Sequence, residues 1–117
     1  MIRTELKKEM AKKVRIPDVI NALIERNAII IDVLEPKDYN KVHIKNAINV
    51  PVKNLEKEIV NKVDRKTPVI IYSIDYECPV SRIAAEKLED MGYENVSYYP
   101  GGRKEWLKMG MPVDKKG

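Results

Sequence analysis

The sequence is short of the residues that build disulfides and metal centres. It contains one cysteine, Cys78, and one histidine, His43. A single cysteine excludes an internal disulfide and a cysteine-clustered zinc site, and one histidine adds too little to complete a conventional protein metal centre. We therefore predict no metal and no cofactor, so any catalysis must come from few side chains.

Long apolar runs are also missing. No stretch approaches the ~20 apolar residues that cross a bilayer, and residues 1–8 lack the apolar core of a signal peptide. These features predict a cytoplasmic protein with no membrane partner. The formal charge of +4 comes from interspersed basic and acidic residues, and no aromatic side chains interleave with a basic patch, which disfavours nucleic acid as a partner.

What is present fits one domain with a real core, since the chain has 117 residues of which 44% are hydrophobic. Two β-branched apolar runs, Ala28–Val33 and Pro68–Tyr72, predict buried parallel strands. Helical spacing follows Pro17, and again runs from Pro79 to a stop at Gly92. Shorter patterns predict a strand over 47–51, a helix over 55–63 and a strand over 95–99. This alternation predicts an α/β fold with a parallel sheet and ligand binding beyond the carboxyl ends of its strands.

The N-terminal residues predict an additional element. Leu6, Met10 and Val14 share one stripe, which favours an amphipathic helix over residues 4–13, before a short strand near Arg15–Ile16. We therefore divide the chain into an N-terminal helical extension, residues 1–13, and a domain over residues 14–117.

The connection between the second apolar run and the following helix is the principal candidate site. Its residues are Ser73, Ile74, Asp75, Tyr76, Glu77, Cys78 and Pro79. Such a loop gathers backbone N–H groups at the positive end of a helix, which favours an anion or a thiolate. The carboxylates of Asp75 and Glu77 oppose both. The residues alone leave open whether Cys78 is a nucleophile or a small buried apolar side chain.

Other polar residues have structural roles that compete with functional ones. We expect His43 to hold a turn by a hydrogen bond rather than act as an acid or base. We expect Trp106, in a helix that follows Gly101 and Gly102, to pack in the core rather than stack on a ligand. For Arg82 and Arg103 two roles stay open, namely contact with an anion near the loop and solvation of a helix surface.

Several segments together resemble the rhodanese family of sulfurtransferase domains, over about Arg15 to Val113. Residues 31–39, IDVLEPKDY, are similar to the family's IDVREPxEY, and residues 43–51, HIKNAINVP, to its HIPGAINIP. Residues 100–106, PGGRKEW, with GMPV at 110–113, resemble its closing GGxxxW and GxPV. The resemblance implies a five-stranded parallel sheet with helices on both faces.

The departures from the family pattern concern the active-site loop. In active members the strand ends in Tyr-Cys, and that cysteine takes up a sulfane sulfur as a persulfide cradled by backbone N–H groups. Here Ser73 follows Tyr72, and a serine hydroxyl forms no exchangeable sulfur–sulfur bond. The resemblance therefore implies that the usual thiosulfate:cyanide type of sulfur transfer is lost at this position. The loop is also longer than the common version, and Leu34 and Val80 stand where the family often has arginines.

Some relatives resemble YCxxxxCPxS, and this chain keeps only the second cysteine of that pattern, Cys78. One hypothesis is an atypical sulfurtransferase in which Cys78 carries the persulfide, with a small sulfur-containing anion or an acceptor protein as partner. The other is a non-catalytic rhodanese-homology module that binds or regulates a partner. A phosphatase is disfavoured because neither its nucleophile nor its charge-stabilising arginine stands in the expected place.

Overall fold

A five-stranded parallel sheet forms the centre of the molecule. The computed structural model describes residues 11–115. The strands are β1 (Lys12–Lys13), β2 (Ile29–Asp32), β3 (His43–Ile44), β4 (Ile48–Asn49), β5 (Val69–Tyr72), β6 (Val96–Tyr99) and β7 (Val113–Asp114). The order across the main sheet is β1-β6-β5-β2-β4, and β3 pairs with β7 in a separate antiparallel ribbon.

Five α-helices and one 3₁₀ turn connect the strands in the part of the chain that the structure describes. They are α1 (Ile16–Glu25), α2 (Pro36–Lys41), the 3₁₀ turn Val52–Asn54, α3 (Leu55–Lys62), α4 (Val80–Asp90) and α5 (Gly102–Lys108). The predicted α/β fold is confirmed. None of the helices within residues 11–115 is long and apolar enough to span a membrane.

The two faces of the sheet bury separate apolar clusters. Ile31 and Ile71 pack under α3 and α4, against side chains such as Leu88. Their strand neighbours Ile30 and Ile70 point the other way, and pack under α1 and α5. Each fully buried aliphatic side chain contributes roughly 1.5–3 kcal/mol. Cover on both faces explains why these strands are continuous apolar runs rather than alternating ones.

The helix boundaries follow local signals. Pro17 stands in the first turn of α1, and the Asp18 carboxylate accepts a hydrogen bond from the Arg15 N–H at 2.9 Å. Helix α4 begins after Pro79, and Gly92, at φ 94°, follows its end. A left-handed glycine just beyond a helix is a favoured way to stop it.

The N-terminal prediction is wrong where the structure describes it. Lys12 and Lys13 form β1, paired with β6, rather than the end of a helix, and Ile16 begins α1 rather than a strand. The sheet edge offers backbone hydrogen bonds that a local pattern does not reveal, and exposed lysines suit an edge strand. Residues 4–10 of the predicted helix lie outside the described residues, and the division at residue 13 stays a prediction.

The sheet places the candidate loop at a shared edge. Asp32, Tyr72 and Tyr99 end β2, β5 and β6 and lie side by side in register. The connections that follow them therefore leave the sheet at the same carboxyl edge, where open parallel sheets bind ligands.

Candidate functional site

The loop between β5 and α4 folds back on its own start. Asp75 and Cys78 form a turn in which the Cys78 N–H donates to the Asp75 carbonyl at 3.2 Å. The Asp75 carboxylate accepts from the Glu77 N–H at 3.1 Å, which holds the same turn. The reversal brings the half-buried Cys78 back to the strand end, where its Sγ lies 3.4 Å from Oγ of Ser73. The structure thus joins the two predicted residues that bear on sulfur chemistry.

The start of the loop is fixed by α5. The Arg103 N–H donates to the Ser73 carbonyl at 3.0 Å, and the Lys104 N–H donates to the Ile74 carbonyl at 2.9 Å. Gly102 makes this approach possible, because a Cβ there would lie 2.7 Å from the Ser73 oxygen and 2.8 Å from the Ile74 carbonyl. Its φ of 66° also favours glycine.

Backbone donors remain available in the loop. Within residues 11–115, the N–H groups of Ile74, Asp75 and Tyr76 have no hydrogen-bond partner. Successive unpaired N–H groups of this kind can donate hydrogen bonds to an anion. The loop therefore has the donors that the sequence predicted, next to the only cysteine of the chain.

A groove of about 340 Å³ lies between the loop and α5. Its walls are Asp75, Tyr76 and Glu77 on the loop side, and Gly101, Lys104, Glu105, Lys108 and Met109 on the other side. The predicted carboxylates thus lie along a surface that also carries two lysines. Tyr76 is 62% exposed there, whereas Ser73 and Cys78 do not line this groove.

A buried carboxylate is hydrogen-bonded to Tyr72, the residue that directly precedes the loop. Asp32 is fully buried, and it accepts hydrogen bonds from the Tyr72 hydroxyl at 2.5 Å and from the Leu34 N–H at 2.8 Å. Burial raises the pKa of Asp32 above its usual range, while the Tyr72 hydrogen bond partly opposes that rise. Burial and the neighbouring carboxylate raise the pKa of Tyr72, so its hydroxyl stays protonated. The hydroxyl also accepts from the Ile44 N–H at 3.1 Å, which ties β3 to the central strands.

Comparison with known proteins identifies the family. The family described as a rhodanese-like domain matches residues 16–109. The chain belongs to the rhodanese-like domain family. It is 31% identical to the thiosulfate:glutathione sulfurtransferase of Saccharomyces cerevisiae, over 72% of this chain and 68% of that protein. It is 30% identical to the thiosulfate sulfurtransferase GlpE of Coxiella burnetii, over 70% of this chain and 74% of that protein.

Solved structures agree with the fold. The BH2092 protein of Bacillus halodurans superposes with a TM-score of 0.82 at 23% identity, over 97% of this chain and 83% of that one. The thiosulfate sulfurtransferase of Pseudomonas aeruginosa superposes with a TM-score of 0.78 at 29% identity, over 89% of this chain and 20% of that one. This rhodanese-like domain therefore has distant relatives named as sulfurtransferases.

Two predicted structural roles are confirmed in the rhodanese-like domain. His43 holds a turn, since its Nδ1 lies 2.8 Å from the Tyr39 carbonyl and its ring stacks on the Tyr39 ring at 3.7 Å. Trp106 is fully buried, and its Nε1–H donates to the Pro112 carbonyl at 2.7 Å. Neither side chain belongs to the loop.

Both arginines left open by the sequence have protein partners. Arg82, exposed on α4, pairs with Glu86 at 3.3 Å. The Arg103 guanidinium donates to the carbonyls of Asp38 at 2.8 Å and Val42 at 3.3 Å, so it ties α5 to α2. Both guanidinium groups thus contact protein groups outside the loop, and the donors of the loop that lack a partner within residues 11–115 are backbone N–H groups.

Sequence reasoning missed the pair formed by Asp32 and Tyr72. A signal was present, because Asp32 interrupts an otherwise apolar strand and a buried carboxylate requires a donor. Its partner is 40 residues away along the chain and becomes apparent only once β2 and β5 are paired in register.

Proposed function

We propose that this domain is an atypical sulfurtransferase in which Cys78 carries sulfur as a persulfide. The 3.4 Å contact between Cys78 Sγ and Ser73 Oγ supports the proposal. Ser73 stands where active members of the family have their cysteine. The longer loop therefore brings the Cys78 thiol next to the side chain at position 73.

The chemistry balances without an external oxidant. The Cys78 thiolate attacks the sulfane sulfur of a donor such as thiosulfate, a new S–S bond forms, and the bond to the sulfite sulfur breaks with its electron pair leaving on sulfite. A nucleophilic acceptor, such as cyanide or another thiolate, then attacks the outer sulfur, and the Cys78 thiolate leaves. The unpaired N–H groups of Ile74–Tyr76 are suited to the negative charge that the persulfide carries.

The names of the relatives support this class of reaction, because two of them are a thiosulfate:glutathione and a thiosulfate sulfurtransferase. A free cysteine as the reacting group also suits a reducing compartment, which favours the cytoplasm as the location. We propose a small sulfur-containing anion as the sulfur donor, and a thiol of a small molecule or protein as the acceptor.

The alternative is a non-catalytic binding module, and one observation favours it. Tyr76 stands exposed in a groove that also carries Glu77 and Lys104. Exposed aromatic side chains are enriched at binding surfaces. In that case Ser73 marks the loss of the family's nucleophile and Cys78 has no role in sulfur transfer.

Intact mass after incubation with thiosulfate or polysulfide separates the two functions. We expect wild type to gain about 32 Da, one sulfur atom, and to lose it to cyanide. Cys78→Ser is expected to gain nothing under the same conditions. A wild type that stays unmodified while Ser73→Cys gains sulfur would overturn the carrier role of Cys78 and favour the binding module.

A further inference from the structure

We infer that the Ser73 hydroxyl is the hydrogen-bond donor that stabilises the thiolate of Cys78. This inference rests on the proposed role of Cys78 as the sulfur carrier. It assigns a chemical task to the residue that replaces the family's cysteine. The two side-chain atoms lie 3.4 Å apart, within hydrogen-bonding distance for sulfur.

Ser73 is buried, so its hydroxyl needs a hydrogen-bond partner within the protein. The residue is only 3% exposed, and among residues 11–115 Sγ of Cys78 is the one hydrogen-bond partner of its hydroxyl. Buried hydroxyl groups are rarely left without a partner. A thiolate can only accept, so when Cys78 is ionised the hydroxyl is the donor, and a hydrogen bond to a charged acceptor is the stronger kind.

The hydroxyl is held in place by its own backbone. The Ser73 carbonyl accepts the Arg103 N–H at 3.0 Å, and Gly102 allows the two segments to lie that close. Tyr72, the residue before Ser73, is anchored by its hydrogen bond to the buried Asp32. A donor that is fixed before the reaction needs no reorganisation when charge develops.

The donor acts at both ends of the proposed cycle. It favours the thiolate that attacks the sulfur donor, and it stabilises the same thiolate as the leaving group when the acceptor removes the outer sulfur. The charged groups on the elements that meet at the contact are Asp75 and Glu77 on the loop, Arg82 in the first turn of α4, and Arg103, Lys104 and Glu105 in the first turn of α5, with Asp32 hydrogen-bonded to Tyr72 at the end of β5. The two loop carboxylates oppose a thiolate, so the hydroxyl offsets part of their effect.

The test is the pH profile of Cys78 alkylation by iodoacetamide. We expect Ser73→Ala to raise the midpoint of the profile by about one pH unit, the size of a tenfold change in thiolate fraction. Because a more basic thiolate is also more nucleophilic, the alkylation rate below the midpoint is expected to fall only about threefold. Ser97→Ala is the matched control, since Ser97 is also buried, at 8% exposed, but lies within β6.

A second pair of variants removes any doubt about folding. Ser73→Thr and Ser73→Val have nearly the same shape and differ in the hydroxyl, so both carry the same steric change. We expect the valine variant to have the higher midpoint by about one pH unit, and thermal unfolding shows that each variant is folded. Equal alkylation midpoints for Ser73→Thr and Ser73→Val, or for wild type and Ser73→Ala, would overturn the inference.

The result is separable from the proposed function. Alkylation reports the contact between Ser73 and Cys78 whether or not sulfur is transferred. If the midpoint shifts but wild type takes up no cyanide-labile sulfur, the hydroxyl stabilises the thiolate and the carrier role fails. If wild type takes up sulfur and the midpoint does not shift, the carrier role stands and the inference about Ser73 fails.

Discussion

At the scale of single residues, we expect the charge beside Cys78 to influence which sulfur donors react under the proposed function. Asp75 and Glu77 place two carboxylates in the loop, and the guanidinium of Arg103 is engaged with backbone carbonyls of other elements. The two carboxylates act against a dianion such as thiosulfate but not against a neutral donor, while Lys104 and Lys108 across the groove offset part of this effect. The backbone N–H groups supply attraction only at short range.

The first prediction follows from this charge. We expect the double variant Asp75→Asn with Glu77→Gln to take up sulfur from thiosulfate several-fold faster than wild type at low ionic strength. Asparagine keeps an oxygen that can accept the N–H of residue 77, so the turn is retained. The gain should shrink in high salt, because screening removes the repulsion that the variant relieves.

Loading rates from intact mass, at low and high salt, provide the measurement. Glu94→Gln is the control, because Glu94 is exposed and lies just before β6, away from the carboxyl edge of the sheet. Equal loading rates for the double variant and wild type at low salt would contradict a role of the loop carboxylates in donor selection.

At the scale of elements, the packing of α5 against the loop depends on one glycine. Gly102 has a φ of 66°, and a Cβ added there would lie 2.7 Å from the Ser73 carbonyl oxygen. Gly110 has a similar φ of 69°, but nothing lies within 4 Å of its Cβ position. The two glycines therefore separate backbone strain from steric contact.

The second prediction compares these two positions. We expect Gly110→Ala to cost about 1 kcal/mol of unfolding free energy, from the left-handed conformation alone. Gly102→Ala should lower the unfolding free energy by about 1–3 kcal/mol more than Gly110→Ala does, because the loop backbone must also move. Denaturant unfolding of both variants measures the difference. We also expect Gly102→Ala to slow sulfur loading, and equal stability of the two variants would contradict the close packing.

The elements also show what local patterns can and cannot predict. Buried runs such as Ile29–Asp32 and the spacing of α4 follow from side-chain periodicity, which is a local property. Strand β1 was missed because its partner, β6, lies far along the chain. The return of Cys78 to Ser73 depends on the turn at Asp75, whose geometry no periodic pattern reports. The family motifs could indicate the loop, but only the fold shows that its two ends meet.

At the scale of the whole molecule, the buried carboxylate of Asp32 links stability to pH. Asp32 bonds Tyr72 across the β2–β5 pair, and Tyr72 accepts from Ile44 in the β3–β7 ribbon. The Tyr72 hydroxyl therefore links the central sheet, the ribbon and the base of the loop. A change in the ionisation of Asp32 alters the hydrogen bond that it makes with this hydroxyl.

The third prediction takes its sign from the raised pKa of Asp32. The carboxyl group of Asp32 keeps its proton to a higher pH in the folded state than in the unfolded chain, where its pKa is 3.8. The resulting stability is therefore fully present below pH 3.8 and is lost as pH rises through the folded pKa. Asp32→Asn cannot ionise, so we expect its unfolding free energy relative to wild type to increase across that range and then level off.

Urea unfolding of both proteins at a series of pH values measures this difference. Tyr72→Phe tests the cause, because the Tyr72 hydroxyl lowers the pKa of Asp32 by its hydrogen bond. Without that bond the pKa of Asp32 rises further, and the range over which stability is lost extends to higher pH. A difference between Asp32→Asn and wild type that stays constant with pH would show that burial does not perturb Asp32. In that case the carboxylate would only position the strands and would not make the stability of the sheet sensitive to pH.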